Sequence, residues 1–426
     1  MTKIAEILRN EVQQRGVLPF ADFMRLALYC PKYGYYEQSQ GRIGREGDFY
    51  TSVSTGSLFG ELLAFQFAEW LVGLSAGPVQ LVEAGAHDGR LAADILGWLG
   101  QHRPERLKSI EYWLIEPSAR HAAWQKETLE NFAGRVRWFD SLNALPSEGI
   151  RGIFFSNELL DAMPVHRLGW DARAGRWFEW GVAMGQLRSP SPLPPSLGAS
   201  ARPRRNEVEA GKGERTGVRG VAVRLITQAP ALESNAPGHF VWQRIPRESD
   251  HFAHQLRQAG FEIPAELLAA LPDGYTIEIC PEAATWWQQA AQKVHTGKLL
   301  TIDYGFPAEH FFTPERCHGT LRAYHRHHAN SDLLAHPGEQ DLTAHVNFTA
   351  LQRAGEAAGL QTEGLFSQER FLTVIAGRTW SHEAHFGEWT PARKRQFQTL
   401  THPEHLGRPF SVLVQRAASE NILRID

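Results

Sequence analysis

Residues 81–96 read LVEAGAHDGRLAADIL, in which an apolar segment passes through a glycine-containing turn into a second, differently spaced apolar segment. The apolar residues that lead to Glu83 are typical of a buried strand, and from Arg90 onward the apolar spacing is that of an amphipathic helix. The turn between them contains Gly85 and Gly89. Glycine lets a backbone approach a ligand closely, and a helix N-terminus offers N–H groups that have no helical partner. The stretch therefore predicts a strand–turn–helix unit that can bind a ligand.

Strand-like and helix-like segments continue to alternate after this unit. Three more strands are predicted, and they end near Glu116, Asp140 and Glu158, while a fifth is predicted at 298–305. This alternation predicts an α/β fold with a parallel sheet, helices on both faces and right-handed crossovers. Ligands of such sheets lie beyond the carboxyl ends of the strands.

Other segments precede, interrupt and close the predicted sheet. The gap between Glu158 and the fifth strand is far longer than a loop, so we expect a large insertion after strand four. The additional predicted elements are an N-terminal helical extension at 4–28, a buried helix at 58–74, inserted strands at 176–184 and 218–226, a flexible Pro/Ser-rich segment at 187–218, and a closing antiparallel strand at 409–417.

These segments divide the chain into four predicted parts. They are an N-terminal helical region with a covering loop (1–75), the first part of the core (76–170), the insertion (171–275) and the second part of the core (276–426). We interpret the core as a Rossmann-like sheet.

Composition excludes several classes of protein. The chain has 44 Lys and Arg against 47 Asp and Glu, a net charge of −3, which argues against a general binder of nucleic acid. Its apolar runs are too short to insert into a membrane, and its three scattered cysteines suit a reducing compartment. We therefore predict a cytoplasmic protein, and a homodimer is left open.

The carboxyl ends of successive strands carry acidic residues. Glu116 can accept both hydroxyls of a ribose, Asp140 an adenine amino group, and Glu83 an aliphatic amino group, whereas the same acids would repel the phosphates of ATP or NADP. The turn also lacks the G-x-G-x-x-G spacing of dinucleotide sites. An adenosyl cofactor fits this series of acids. For Gly85 and Gly89 alone, a plain βα turn remains an equal alternative.

Motifs from about Pro31 to the C-terminus resemble the MidA-like class I methyltransferases, whose mitochondrial members are arginine methyltransferases acting in complex I assembly. They are PKYGYYE, GDFYTS, LFGELLAFQFAEWL, VEAGAHDGRLAADIL, SNELLDAMPVHRL, TIDYG, GTLRAYHRHH and HPGEQDLTAHVNF. The resemblance implies S-adenosyl-L-methionine as cofactor and arginine methylation of a partner protein. His87 and Asp88 depart from the Gly-Pro-Gly-Arg-Gly type of turn that the family favours.

Methylation of a guanidinium needs carboxylates that orient it. Glu158 and Asp161, at the start of a predicted helix, are the candidates, with Asn157 between cofactor and acceptor; capping of that helix is the alternative role for Asn157 and Asp161. Tyr304 is a candidate for the acceptor wall or, equally, a packed core residue. The remaining candidates are Asp48, Thr51 and Ser52, which either cover the cofactor or form a plain turn.

Other chemistries have weaker support. Histidines cluster near Cys317, but the chain lacks paired metal-ligand spacing, so no metal is predicted. No G-x-S-x-G elbow supports a hydrolase. The main alternative to a protein methyltransferase is a non-catalytic assembly or binding protein on the same fold, which His87 and Asp88 favour. A small-molecule methyltransferase is a third reading that the sequence leaves open.

Overall fold

The computed structural model describes residues 2–38, 51–74, 77–185, 239–247, 251–326, 328–381 and 384–417. Its helices are α1 (Lys3–Arg15), α2 (Phe20–Tyr29), α3 (Leu58–Trp70), α4 (Arg90–His102), α5 (Pro104–Lys108), α6 (Ala119–Thr128), α7 (Ala253–Gln258), α8 (Ala265–Ala270), α9 (Pro281–Lys293), α10 (Phe348–Ala357), α11 (Gln368–Thr379) and α12 (Pro391–Thr401).

The strands fall into three sheets. They are β1 (Leu18–Pro19), β2 (Val79–Ala84), β3 (Ile110–Ile115), β4 (Val136–Phe139), β5 (Ile150–Asn157), β6 (His166–Asp171), β7 (Arg176–Met184), β8 (Phe240–Ile245), β9 (Thr276–Ile279), β10 (Val294–Phe306), β11 (Arg322–His325), β12 (His328–Asn330), β13 (Asp341–Thr343), β14 (Val346–Asn347), β15 (Leu360–Ser367) and β16 (Phe410–Ala417).

The central sheet has the strand order β15-β16-β10-β5-β2-β3-β4, and β14 pairs with the end of β10. The pairs among β4, β3, β2, β5 and β10 are all parallel, whereas β16 runs antiparallel to β10 and β15. Every residue of β2 is buried, because apolar clusters cover both faces of the sheet. The predicted α/β class, the parallel core and the closing antiparallel strand are confirmed.

A second sheet has the order β1-β7-β6-β9, with β8 paired to β7. Strand β7 coincides with the strand predicted at 176–184. The strand predicted at 218–226 and the flexible segment predicted at 187–218 lie outside the described residues. Because β6 begins at His166 and β9 ends at Ile279, this sheet extends a few residues beyond the assigned insertion. The four-part division remains a proposal.

The N-terminal extension differs from the prediction of one helical stretch. Helix α1 ends before Gly16, whose φ of 74° an L residue adopts only at a cost in free energy. The chain then extends, so that Leu18 pairs with Val182 of β7, and α2 follows. Periodicity could not reveal the break, since the partner strand is more than 160 positions away. None of the helices within the described ranges combines the length and apolar character needed to cross a bilayer.

Candidate active site

A cavity of about 1100 Å³ opens at the carboxyl ends of the parallel strands. Predicted site residues that line it are Glu83, Gly85, Glu116, Asp140, Asn157, Glu158, Asp161 and Thr51. They come from the ends of β2, β3, β4 and β5 and from the segment before α3. The cavity therefore collects side chains that the sequence separates by up to about a hundred positions.

The turn after β2 has an unusual backbone. Gly85, His87 and Gly89 have φ values of 78°, 47° and 85°, so all three occupy the left-handed side of the φ/ψ map. A left-handed conformation costs a residue with a Cβ roughly 1–2 kcal/mol, which explains why glycine suits these positions. The His87 ring packs against α6, with ring centroids 5.6 Å from His121 and 6.2 Å from Trp124.

Glu83 is the penultimate residue of the buried strand β2, and its side chain is almost entirely out of solvent. The hydroxyl of Tyr112, on the neighbouring strand β3, donates to its Oε2 at 2.5 Å. Burial raises the pKa of Glu83 to about 7, although the tyrosine bond acts in the opposite direction. A ligand ammonium would offset that burial and favour the charged carboxylate.

Glu116, just after β3, belongs to a connected hydrogen-bond network. Its Oε1 accepts from the Ser118 N–H at 2.9 Å, and its Oε2 accepts from the Gln125 amide at 2.8 Å. The same amide donates to the carbonyl of His87 at 3.0 Å, and this fixes the turn after β2 relative to Glu116. Each carboxylate oxygen retains acceptor capacity for a ligand hydroxyl.

Asp140, just after β4, differs from Glu83 and Glu116 because it is exposed. Its Oδ1 accepts from the Ser141 hydroxyl at 2.9 Å. Leu142 and Asn143 line the same side of the cavity. This end of the cavity therefore combines the apolar side chain of Leu142 and the amide of Asn143 with an accessible carboxylate.

The turn after β5 holds Glu158 between two donors. Its Oε1 accepts from the Asn157 amide at 3.0 Å and from the Ser52 N–H at 3.3 Å. Glu158 itself has a φ of 50°, and its N–H donates to the carbonyl of Ile302 on β10 at 2.9 Å. A strained backbone at a residue that lines a cavity is typical of functional sites.

The helix predicted to begin at Glu158 is absent from the described structure, and that prediction is wrong. Residues 158–165 instead form turns that lead into β6. The buried carboxylate of Asp303, on β10, holds these turns by accepting from the N–H groups of Leu159 and Leu160 at 3.2 and 2.8 Å. Helix capping is therefore not the role of Asn157 and Asp161.

Four carboxylates meet beside this turn: Glu158, Asp161, Asp303 and Asp341. Burial, with a smaller effect of the Asp303 charge, raises the pKa of Glu158 to about 8. Burial and the charges of Asp303, Glu158 and Asp341 raise the pKa of Asp161 well above its usual range. In this group of carboxylates (the acidic cluster below), burial and mutual repulsion disfavour the charged forms of Glu158 and Asp161, and a bound cation would favour them.

Several predicted residues lie elsewhere. Tyr304 does not line the cavity; its ring packs on Phe410, with centroids 3.9 Å apart. Ser52 is fully buried and does not line the cavity, and its hydroxyl donates to Gln368 at 3.1 Å. Gly89 shapes the turn as the residue before α4. Asp48 lies outside the described residues.

The sequence predicts a covering role for residues 48–52, but residues 31–38 (the cover below) form an N-terminal wall of the cavity that it does not identify. Tyr36 of the cover lines the cavity, and its hydroxyl donates to Asp341 at 2.9 Å. Tyr29, at the end of α2, stacks on Tyr36 and donates to the carbonyl of Ala162 at 2.9 Å. The only sequence signal for this wall was the PKYGYYE motif, which marks no chemistry by itself.

His325, His336 and Glu339 bring potential metal-ligand atoms within 4.8 Å of one another. The two imidazole rings, however, stack with centroids 4.4 Å apart and planes within 6° of parallel. Imidazole lone pairs lie in the ring plane, so rings stacked in this way cannot point at one ion. His327, another of the clustered histidines, lies outside the described residues.

Comparison with known proteins gives a consistent result. A family model described as "Putative S-adenosyl-L-methionine-dependent methyltransferase" matches residues 62–366. The chain is 27% identical over 440 residues to Protein arginine methyltransferase NDUFAF7, mitochondrial, from Mus musculus, across 96% of this chain and 83% of that protein. It is 25% identical over 437 residues to the NDUFAF7 homolog, mitochondrial, from Drosophila melanogaster, across 96% and 84%.

Similar crystal structures are also known. One is of a Burkholderia thailandensis protein bound to S-adenosyl-homocysteine; it has 28% identity and a TM-score of 0.74, and the match covers 99% of this chain and 94% of that one. A native structure of a protein from the same organism has 28% identity and a TM-score of 0.72, with coverage of 99% and 93%. The similarity thus extends over nearly the whole chain.

Proposed function

The chain belongs to this family of S-adenosyl-L-methionine-dependent methyltransferases, and we propose that it methylates an arginine side chain of a partner protein. The acidic cluster carries the proposal, because its crowded carboxylates favour a bound cation and three of its four members line the same cavity as the acids at the ends of β2, β3 and β4. Relatives that are about 25% identical carry the name arginine methyltransferase, which supports the choice of cation. A role in complex I assembly rests on the resemblance alone.

The residues at the strand ends suit the cofactor. Glu116 would accept from the ribose hydroxyls, Asp140 from the adenine amino group and Glu83 from the ammonium group of the methionine part. The turn after β2 brings backbone close to the ligand, as the positive φ values of its glycines allow. Bound there, S-adenosyl-L-methionine supplies an electrophilic methyl group on a sulfonium.

Asn157 provides an independent test of fit. Its Oδ1 is buried and has no hydrogen-bond partner among the described residues, while its amide donates to Glu158. An unpaired buried acceptor costs about 1–3 kcal/mol, so a ligand N–H that reached it would gain this amount. The position between the cofactor acids and the acidic cluster suits a donor from either ligand.

The acidic cluster gives the acceptor its orientation. A guanidinium is planar and can bind carboxylates with two parallel N–H···O bonds, and Glu158 and Asp161 offer the oxygens. Methylation of a guanidinium nitrogen requires the loss of one proton. Glu158, whose pKa is raised to about 8, is suited to accept that proton at neutral pH.

One observation favours a different class of function. His87 places a side chain in the turn where the family favours glycine, and a non-catalytic assembly protein would tolerate such a change. His87 lines the cavity, but its ring packs on α6, and the cavity still extends beside Gly85. The observation therefore does not displace the enzyme proposal.

Calorimetry and a methylation assay test the proposal together. We expect wild-type protein to bind S-adenosyl-homocysteine with a micromolar Kd, and Glu116→Ala to lose this binding. Glu127→Gln, an exposed change on the adjacent helix α6, is the control and should bind like wild type. Arginine-rich polypeptides should accept labelled methyl groups from wild type but not from Glu158→Gln. A folded wild type that binds no S-adenosyl-homocysteine would contradict the proposal.

A further inference from the structure

Tyr36 forms contacts at two places in the cavity, one beside Glu116 and one at the acidic cluster. Its backbone carbonyl lies 2.7 Å from Nε2 of His121, beside the cofactor acids, and its hydroxyl donates to Asp341 of the acidic cluster at 2.9 Å. Its ring stacks on Tyr29 at 5.4 Å, which restricts the side chain between these two anchors. A movement of the cover at one anchor would therefore displace Tyr36 at the other.

His121 contacts an acceptor with each ring nitrogen. Nδ1 lies 3.6 Å from Oε2 of Glu116, and Nε2 lies 2.7 Å from the carbonyl of Tyr36. A neutral imidazole carries one N–H, so only the protonated ring can donate towards both. The ring stacks on Trp124 at 4.9 Å, which fixes its plane.

The surroundings of His121 favour that protonated form. Burial lowers its pKa, but the contact with Glu116 and the charges of Glu116 and Glu37 outweigh burial, so that the net pKa is raised. Three elements present titratable groups to the ring: Glu116 after β3, Glu37 of the cover and His87 of the turn. Arg120, its neighbour on α6, uses its guanidinium to bind the carbonyl of Glu37.

The far end of the cover is attached to a different part of the chain. The Gln38 amide donates to the carbonyl of Gly338 at 2.7 Å, in the loop that leads to Asp341 and β13. The cover thus extends from the N-terminal end of α6, across the cavity, to the loop that positions one acid of the cluster. The middle of the cover is held separately, since Tyr35 is buried in the N-terminal apolar cluster and the N–H groups of Tyr35 and Tyr36 donate to the carbonyls of Ala27 and Leu28. The polar attachments at His121 and Gly338 can therefore open locally without loss of the core.

We propose that protonated His121 is a positioning residue that holds the cover against Glu116, and that Tyr36 transmits this contact to Asp341. Cofactor binding at Glu116 and closure of the cover then favour each other, and the acceptor site is completed after the cofactor is bound. This inference rests on the proposed function, because it assigns an order of binding to the same site.

The test compares His121→Gln with wild type by calorimetry of S-adenosyl-homocysteine between pH 6 and pH 8.5. Because Glu83 titrates in both proteins, the quantity of interest is the ratio of the Kd of the variant to that of wild type. We expect this ratio to be about ten at pH 6 and to approach one as His121 loses its proton. Glu127→Gln, on the same helix, should give a ratio of one throughout.

Tyr36→Phe tests the second half of the inference. It removes the hydroxyl that binds Asp341 and keeps the backbone carbonyl that binds His121. Cofactor Kd and its pH dependence should stay within about twofold of wild type, while the KM for the acceptor rises about tenfold. A variant that changed cofactor Kd and acceptor KM equally would overturn the role of Tyr36 as a connection.

Hydrogen exchange tests the His121 contact without any ligand. In the cofactor-free protein, exchange of the amides at 33–38, corrected for intrinsic rates, should accelerate between pH 6 and pH 8.5 in wild type and be fast throughout in His121→Gln. A ratio of Kd values that does not change with pH, or a cover whose exchange ignores His121, would overturn the inference while leaving the methyltransferase proposal intact. Absence of S-adenosyl-homocysteine binding by wild type would overturn both.

Discussion

His87 is the residue whose presence in the turn after β2 most needs explanation. With a φ of 47° and its ring against His121 and Trp124, it strains the backbone but projects towards α6. We therefore predict that His87→Gly leaves the Kd for S-adenosyl-homocysteine within about threefold of the wild-type value. A threefold change corresponds to less than about 1 kcal/mol of binding free energy. Calorimetry provides the measurement. A gain of a hundredfold would instead show that the imidazole blocks the site.

His87→Ala is the matched control for the backbone. It removes the same ring as His87→Gly but keeps a Cβ at a left-handed position. The His87→Ala protein should therefore be less stable than the His87→Gly protein by about 1 kcal/mol. Denaturant unfolding measures this difference in free energy of unfolding. Equal stability of the two variants would mean that the turn relaxes to a negative φ once the ring is gone.

Glu158 should govern the pH dependence of catalysis. Only its carboxylate form can accept a proton, and burial raises its pKa to about 8. At saturating cofactor, kcat/KM for a peptide acceptor should therefore rise about tenfold per pH unit below pH 8 and level off above it. The pH profile of an arginine-peptide methylation assay provides the measurement. Asp140→Asn, at the other end of the cavity, should weaken cofactor binding but keep the same pH profile.

For single residues, the sequence allowed prediction of the acids that line the cavity, but not of the residues that hydrogen-bond the cover to the rest of the chain. Glu83, Glu116 and Asp140 could be predicted because each lies at the carboxyl end of a strand, and these ends meet at one edge of a parallel sheet. Tyr36, His121 and Asp341 follow no strand of the core, and their contacts join positions 85 and 305 residues apart. Local pattern carries no information about such pairs.

At the scale of elements, an ion pair connects the central strand β10 to the edge strand β15. Its cation is the buried Lys298 of β10. Its ammonium lies 2.6 Å from both carboxylate oxygens of Glu363 on β15, and 5.0 Å from the ring centroid of Trp70 on α3. Glu363 has a second partner in Arg416, at 3.6 Å, so the two members of the pair are not equivalent. Substitution of Lys298 and substitution of Glu363 should therefore lower the free energy of unfolding by different amounts.

We predict that Glu363→Met costs about 3–5 kcal/mol of unfolding free energy, because it leaves the ammonium of Lys298 buried without its carboxylate. Lys298→Met should cost less than about 1.5 kcal/mol, since methionine fills a similar volume and Glu363 keeps Arg416. Denaturant unfolding of both variants measures the difference. Equal losses of unfolding free energy in the two variants would contradict the prediction that Arg416 compensates only for the loss of Lys298.

The elements of the core could be predicted from sequence, and those of the second sheet only in part. β2, β3, β4, β5 and β10 alternate with helices, so period and order identify them. β1 is two residues long and pairs with β7, far along the chain. The turns at 158–165 replaced a predicted helix because Asp303, on β10, accepts their N–H groups. In each failure a distant partner decided the local conformation.

At the scale of the whole molecule, the acidic cluster should make the stability of the fold depend on pH. Its members come from the turn after β5, from β10 and from β13, so folding itself brings the carboxylates together. The pKa values of Glu158 and Asp303 are raised to about 8 and about 7, mainly by burial. Between about pH 5 and pH 8 the native state thus holds more protons than the unfolded chain, whose acids have pKa values near 4.

Stability should therefore fall as pH rises through this window, because the free energy of unfolding decreases with pH wherever the native state binds more protons. We predict that the Tm of the ligand-free protein drops by several degrees between pH 5 and pH 8, measured by scanning calorimetry. Glu158→Gln removes one of these protons and should reduce the slope. A Tm that rises across the window would contradict the raised pKa values.

A cation bound in the cluster should remove much of this pH dependence, because it replaces the protons that the carboxylates otherwise need. N-acetyl-arginine amide at millimolar concentration should raise the Tm more at pH 8 than at pH 5, since the carboxylates are charged at the higher pH. N-acetyl-citrulline amide, which has nearly the same shape and no charge, is the matched control and should have little effect at either pH. Equal stabilisation by the two compounds would mean that the cluster recognises shape rather than charge, and an arginine acceptor would lose its main physical support.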